Sequence, residues 1–208
     1  MTVPILISLD GIDGVGKSTQ ILRLADHLGR LGHDVLCVRD PGTTDVGTRL
    51  RELLLDSDLT MHRRTEAMLF LASRCEMIET VIAPAMAAGK TVISDRFLLS
   101  TVVYQSVGGE VSPQQLWDLG RLANGAVAAD MTILLDMPAV DSMARIQGPA
   151  DRMESRGVDY MESVRQAFLD QLPHASGTTA VVDAGQGPDQ VADQIQIAMD
   201  DFLASRVE

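Results

Sequence analysis

Five short apolar runs recur along the chain, each followed by polar or glycine-rich residues. The first, Pro4 to Leu9, is almost unbroken in its apolar character, which suits a strand buried on both faces of a parallel sheet. "DVLCV" (34–38) reads as a second buried strand, and "TVISD" (91–95), "MTILLD" (131–136) and "TAVVD" (179–183) as three more. Between these runs the apolar positions move to helical spacing. Ile21, Leu24, Ala25 and Leu28 mark a helix over Ser18 to Leu31, which Gly32 ends. Thr65 to Ala88 is the longest helical stretch, kinked or split at Pro84. Ser112-Pro113 opens another helix, with a capping serine and a proline at the first helical position. Asp189 to Leu203 reads as a terminal amphipathic helix. Strands alternating with helices predict an α/β fold: a five-stranded parallel sheet flanked by helices. No repeat, low-complexity tract or linker interrupts the pattern, so residues 1–208 are expected to form one domain.

Composition agrees with that picture. The chain is 46% hydrophobic but only 3% aromatic, as expected for helices packed on a sheet of Val, Ile and Leu. Its net charge of −12 argues against a nucleic-acid or anionic-membrane surface, though arginines can still converge in one cleft. No run approaches the ~18 apolar residues that span a bilayer, and no basic-then-apolar leader is visible, so a cytoplasmic location is expected. Cys37 and Cys75 form no CxxC pair and read as reduced thiols.

In parallel sheets ligands bind beyond the carboxyl ends of the strands. The chemistry-bearing residues gather there: Asp10 to Lys17, Arg39 to Thr44, Asp95-Arg96 and Asp136. Gly11-Ile12-Asp13-Gly14-Val15-Gly16-Lys17-Ser18, followed by Thr19, fits the spacing Gly-x4-Gly-Lys-Ser/Thr. That spacing cradles a polyphosphate in backbone N–H groups. Lys17 is then placed to reach the β- and γ-phosphates, and the Ser18 hydroxyl to ligate Mg²⁺. The loop alone says only that a nucleoside triphosphate binds. No Asn-Lys-x-Asp is present for guanine recognition, and the chain is short and acidic for a nucleic-acid motor. A small-molecule kinase needs a second anion site and a movable cover.

"SDRFLLSTVVYQ" (94–105) places Ser100, Tyr104 and Gln105 about one turn apart, after Asp95 and Arg96. "RDPGTT" (39–44), "RLRELLLD" (49–56) and "MLFLASR" (68–74) add Arg39, Arg51, and Phe70 with Arg74 on one helix face. Taken singly, Phe70 reads as a core residue, Arg74 as a surface charge and Arg51 as a partner for Glu52 or Asp56. Taken together with "DGIDGVGKST", "DRMESRG" and "VVDAG", in this order and spacing, they resemble the bacterial type of the thymidylate kinase family over nearly the whole chain.

The resemblance implies a three-layer P-loop nucleoside monophosphate kinase with a short mobile lid. It would transfer the γ-phosphate of ATP, with Mg²⁺, to dTMP, and so serve dTTP supply. Phe70 would stack on thymine, Arg74 would bond its carbonyl edge, and Gln105 would contact the base. Tyr104 would crowd the sugar where a ribose carries its 2′-hydroxyl. Arg51 and Arg96 would hold the acceptor phosphate, Arg39 would also contact dTMP, and Ser100 would support the wall. Asp13 would face the acceptor's 3′-hydroxyl and the metal, and Asp95 would hold the metal through water. Lys17, Arg96, Arg152 and Asp13 would form the catalytic set. Asp10 reads equally well as a functional carboxylate or as one that fixes the loop by accepting backbone N–H groups; Asp136 reads as structural. The loop Asp183 to Gly187 would flank adenine. The family is homodimeric, and "VIAPAMAA" (81–88) is either an interface or buried within the monomer. A kinase for another nucleotide is the nearest alternative, weakly opposed by Phe70, Arg74 and Gln105. A nucleotide-dependent regulatory protein without turnover is opposed by the intact Lys17, Ser18, Asp95, Arg96 and Arg152.

The expected lid is "QGPADRMESRG" (147–157), with Gly148, Pro149 and Gly157 as hinges and Arg152 and Arg156 reaching the phosphates. Some members of the family carry an arginine in the glycine loop where this chain has Gly14, and one in the lid where it has Gln147. A transition-state arginine is worth ~10³–10⁵ in rate in well-characterised phosphoryl transfer. Arg152→Ala is therefore expected to lower kcat by at least ~100-fold with little change in dTMP affinity. Near-normal kcat in that variant, with loss of activity in Arg145→Ala, would move the role to Arg145.

Overall fold

The structure, a computed structural model, describes residues 3–56, 59–146 and 156–206, with the backbone alone at Asp56. Gln147 and Arg152, and with them most of the expected lid, lie outside the described residues. Five strands form one parallel sheet in the order β2-β3-β1-β4-β5. They are β1 (Leu6–Asp10), β2 (Val35–Arg39), β3 (Thr91–Asp95), β4 (Met131–Asp136) and β5 (Thr178–Asp183). The helices are α1 (Lys17–Arg30), α2 (Asp45–Arg51), α3 (Arg63–Met77), α4 (Ala83–Ala87), α5 (Leu98–Ser106), α6 (Pro113–Asn124), α7 (Ala139–Arg145), α8 (Val158–Gln171) and α9 (Pro188–Ser205). α1 and α9 pack together on one face of the sheet, while α3, α5, α6 and α8 build the opposite layer. No helix among the described residues is long and apolar enough to cross a membrane.

The apolar runs explain the middle of the sheet. β1, β3 and β4 are covered on both faces, and Leu6, Ile7, Leu9, Val92, Ile93, Ile133 and Leu134 are buried. The outer strands depart from the expectation. β2 is an edge strand: only Val38 is buried, while Cys37 and Arg39 are exposed. An unbroken apolar run marks a strand without saying which neighbours flank it. β5 lies at the other edge, with Val181 exposed. Cys37 and Cys75 are both unpaired thiols.

The long helical stretch is divided earlier than expected. A π-helical turn occupies Ile78–Ile82, and Pro84 sits in the first turn of α4. Proline lacks an N–H and crowds the carbonyl four residues back, so the backbone widens before it. Of "VIAPAMAA", Ile82 and Ala85 are buried, and Val81 and Met86 pack against the core of this chain. Ser112 caps α6 as expected, and Gln115 completes a reciprocal capping box.

Parallel register brings the carboxyl ends level. Leu9 and Arg39 both lie opposite Asp95, Asp10 lies opposite Leu134, and Asp136 opposite Asp183. Beyond this rim a buried ion pair ties the layer together. Arg74, 1% exposed, donates from Nε to Asp40 (2.5 Å), and from Nη2 to the Phe97 carbonyl (3.2 Å) and the Thr101 hydroxyl (2.6 Å). Arg74 is thus no surface charge: it joins α3 to the loop after β2 and to the start of α5. Removing one partner of a buried pair strands the other charge and costs ~3–5 kcal/mol. Asp40→Ala should therefore lower the unfolding free energy by about that amount in urea titrations. Asp34→Ala, at an exposed pair with Lys90, should cost less than ~1 kcal/mol. Equal effects of the two substitutions would contradict this reading of Arg74.

Candidate active site

Between β1 and α1 the chain wraps back over the sheet rim. Gly11 and Gly14 have positive φ (142° and 81°), and a Cβ would lie 2.5 Å from the Leu135 carbonyl at Gly11 and 2.1 Å from the Ser142 carbonyl at Gly14. Glycine is required at both. The second contact also shows why no side chain, arginine included, fits at Gly14 with α7 seated here. Ile12 and Val15 turn their side chains into the core and, with Gly11, lie outside the cavity lining, whereas Asp13, Gly14 and Gly16 belong to it. Gly16 begins α1 in the left-handed conformation, and no acidic residue occupies the first helical turn. The positive end of the helix dipole is therefore left open to an anion. Lys17 donates to the carbonyls of Gly11 (3.1 Å) and Ile12 (2.8 Å) and lies 3.7 Å from Asp13. Burial, and then the charge of Arg96, push its amine down to about 8.

The carboxylates of the loop are matched by one arginine. Arg96 Nη2 donates to Asp13, and Nη1 donates to the Gly11 carbonyl (2.8 Å) and the Ser100 hydroxyl (3.1 Å). The Tyr104 hydroxyl also donates to Asp13 (3.1 Å), and the Arg96 guanidinium lies 5.1 Å from the Tyr104 ring centre. Burial opposes ionisation of Asp13, but Arg96 and Lys17 outweigh it and hold the carboxyl well below the usual range. Asp10 is fully buried and accepts from two hydroxyls, Ser8 Oγ and Ser100 Oγ (2.6 Å), rather than from the backbone N–H groups that one of its two readings called for. Arg96 itself has φ 68°, an uncommon conformation for a residue with a side chain.

One cavity of about 330 Å³ runs from the loop to the α3–α5 wall. Asp13, Gly14, Gly16, Lys17, Ser18 and Thr19 line one end; Arg39, Arg51, Phe70, Arg74, Asp95, Arg96, Ser100, Tyr104 and Gln105 line the rest. The sequence-predicted residues from five separate segments therefore meet. Phe70 is half-buried: it packs on the core and also faces the cavity. Arg51 Nη1 donates to the Pro41 carbonyl (3.1 Å). Four residues lining this cavity carry buried polar atoms that lack a hydrogen-bond partner among the described residues: Gln105 (both amide atoms), Arg74 (Nη1), Asp95 (Oδ1) and Asp40 (Oδ1). Buried polar groups are nearly always bonded, so these orphans point to a polar ligand. Asp40 and Thr101, which also line the cavity, were not singled out by sequence. Thr101 follows Ser100 directly and Asp40 lies inside "RDPGTT", so proximity to named residues was the available signal.

The remaining candidates fall outside the cavity lining. Asp136 takes a two-pronged contact from Arg165 Nε and Nη2 (2.7 and 2.8 Å), in keeping with a structural role. Glu162, bonded to the same arginine, accepts the Ala139 N–H at the start of α7. Arg145 is exposed and donates to the Ala184 carbonyl (3.0 Å), beside the expected adenine loop. Arg156 donates to the Tyr160 hydroxyl (3.0 Å) and lies 4.0 Å from Glu66, against the α3–α5 side rather than the glycine loop.

Known proteins share this arrangement of segments. The sequence model of the thymidylate kinase family matches residues 9–195. A thymidylate kinase of Rhodopirellula baltica is 68% identical over 190 residues, covering 91% of this chain and 78% of the relative. One from Ectopseudomonas mendocina is 38% identical over 207 residues, 98% of this chain and 97% of the relative. A third, from Bifidobacterium longum subsp. infantis, is 37% identical across 98% of this chain and 89% of its own length. With a glycine loop, a paired arginine site and an unsatisfied amide wall on one cavity, and with matches of this extent, the chain belongs to the thymidylate kinase family.

Proposed function

We propose that the chain transfers the γ-phosphate of ATP to dTMP, giving ADP and dTDP, and works as a single kinase domain, in the cytoplasm, as a homodimer. The observation that carries this reading is the pairing of two unlike ends in one cavity. The anion cradle of Lys17 and the α1 N-terminus lies at one end. The orphaned Gln105 amide and Arg74 Nη1 lie near Phe70 at the other. Thymine offers a flat face to Phe70, with carbonyl and N–H groups on its edge for Arg74 and Gln105. Arg39, Arg51 and Arg96 would receive the acceptor phosphate, and Tyr104 would close the space beside the sugar's 2′-carbon.

The acceptor oxygen is already ionised at neutral pH, so no strong base is needed. Positioning and charge stabilisation do the chemistry. Asp13 orients Arg96 and offers an acceptor for a sugar hydroxyl. Among the described residues no three His, Cys, Asp or Glu converge as a metal cage, so Mg²⁺ would arrive with the phosphates. The Ser18 hydroxyl and the unpartnered Asp95 oxygen suit it, and the ion would supply charge neutralisation of the transferring group.

The direct test is ADP release coupled to a detectable reaction, with and without dTMP. Release should depend on dTMP, and other monophosphates should support it poorly. Base stacking on an aromatic ring is worth ~1–3 kcal/mol, so Phe70→Ala should weaken use of dTMP by roughly ten- to a hundredfold and leave ATP binding intact. Unchanged dTMP kinetics in the folded variant would confine Phe70 to the core.

A second test follows from Lys17. With its pKa at about 8 in the ligand-free site, about half of this amine is neutral at pH 8 and about a tenth at pH 7. A bound polyphosphate favours the charged form and raises that pKa. ATP binding should thus take up about half a proton at pH 8 and ~0.1 at pH 7, read from calorimetry in buffers of different ionisation enthalpy. Heats independent of buffer at pH 8 would mean that Lys17 is fully charged beforehand.

A further inference from the structure

The wall that would face the acceptor sugar is held by a cluster outside the cavity. α5 ends at Ser106, so the carbonyls of its last turn lack helical partners. The Tyr104 carbonyl is one of them, and two side chains from distant segments meet on it. Arg63 Nη1 donates to it at 3.0 Å and the Tyr160 hydroxyl at 3.4 Å, while Arg63 Nη2 donates to the Val107 carbonyl at 3.2 Å. The guanidinium is thus a cation at a helix C-terminus, where the dipole favours it. Tyr160 is held in turn: its ring has Arg63 6.0 Å and Arg156 5.0 Å from its centre, and Arg156 donates to its hydroxyl. About two helical turns further along α8, Phe168 meets the Tyr104 ring edge-on at 5.8 Å. Tyr104 is therefore fixed at its backbone by Arg63 and Tyr160, on its ring by Phe168, and at its hydroxyl by Asp13.

We infer that Arg63 and Tyr160 are positioning residues for sugar selection: by gripping the Tyr104 carbonyl they set how closely the Tyr104 ring approaches the 2′-carbon of the acceptor. The inference rests on the reading of dTMP as acceptor. Neither residue lines the cavity, so each acts through Tyr104. Releasing the carbonyl lets the last turn of α5 fray, and Gln105, on the same turn, moves with it. The consequence is a wall that still binds a monophosphate but no longer rejects a ribose.

The test compares kcat/KM for dTMP and for ribothymidine monophosphate, with Tm measured alongside. Tyr160→Phe removes only the hydroxyl and keeps the ring between the two guanidiniums. Arg63→Met removes the cation and keeps the stem. The deoxyribose preference should fall about threefold in Tyr160→Phe and about tenfold or more in Arg63→Met, mainly through a lower KM for ribothymidine monophosphate, with kcat for dTMP at saturation within about threefold. A lower Tm with an unchanged preference in both variants would overturn the inference, provided that Tyr104→Ala lowers the preference. A preference unchanged in Tyr104→Ala as well would overturn the reading of Tyr104 as the sugar wall, and the inference with it. No dTMP-dependent turnover by the unsubstituted chain would instead sink the proposed function.

Discussion

The Arg96 guanidinium bridges the end of β1, the glycine loop and α5. It bonds the Gly11 carbonyl, Asp13 and Ser100, and through Ser100 it reaches Asp10. The parallel register makes this possible, because it sets Asp95 opposite Leu9 and delivers the next residue beside the loop. A positive φ at Arg96 then directs the side chain across the rim instead of along the strand. The loop can carry two aspartates near an anion site because this cation neutralises one of them from the side. Without it, Asp13 would stand 3.7 Å from Lys17 as a direct competitor for the bound phosphate.

The same logic extends outward. Asp40 neutralises Arg74 at the far wall, and Asp136 neutralises Arg165 behind α7. In each case a carboxylate at or just beyond a strand end meets an arginine from the helical layer. Such pairs contribute little net stability, since desolvation offsets the attraction. What they supply is position. Arg74 keeps one nitrogen unpaired on the cavity only because Nε and Nη2 are anchored elsewhere.

Local features and the convergence of the site segments were legible in the sequence; strand order and the individual contacts between distant side chains were not. The glycine loop could be read from eight consecutive residues, because backbone sterics and the adjoining helix dictate that spacing. The buried strands followed from their apolar runs, and the α6 cap from Ser112-Pro113. That β2 lies at an edge depends on strand order, which no single run encodes. The burial of Arg74 depends on Asp40, far away in the chain, so the residue alone looked like a surface charge. Asp10 was read against its neighbours, yet one of its two partners, Ser100, comes from α5. Likewise nothing near Arg63 or Tyr160 in sequence announces Tyr104. The orphaned amide of Gln105 becomes visible only when every possible partner around it is accounted for.

The cavity gathers Lys17 and four arginines in a molecule whose net charge is −12. At physiological ionic strength charges are screened beyond roughly 8 Å, so an approaching nucleotide meets the acidic exterior before it senses the arginines. The net negative charge repels an anion, and the cationic groups of the cavity attract it at short range. Encounter is then slowed at long range, and retention depends on short contacts in a partly dehydrated cleft. Added salt acts on the two in opposite directions: it eases approach while weakening the grip. An acidic envelope around a cationic cleft also discourages long polyanions such as nucleic acids, which would have to lie along the repelling surface, while a compact nucleotide passes inside it.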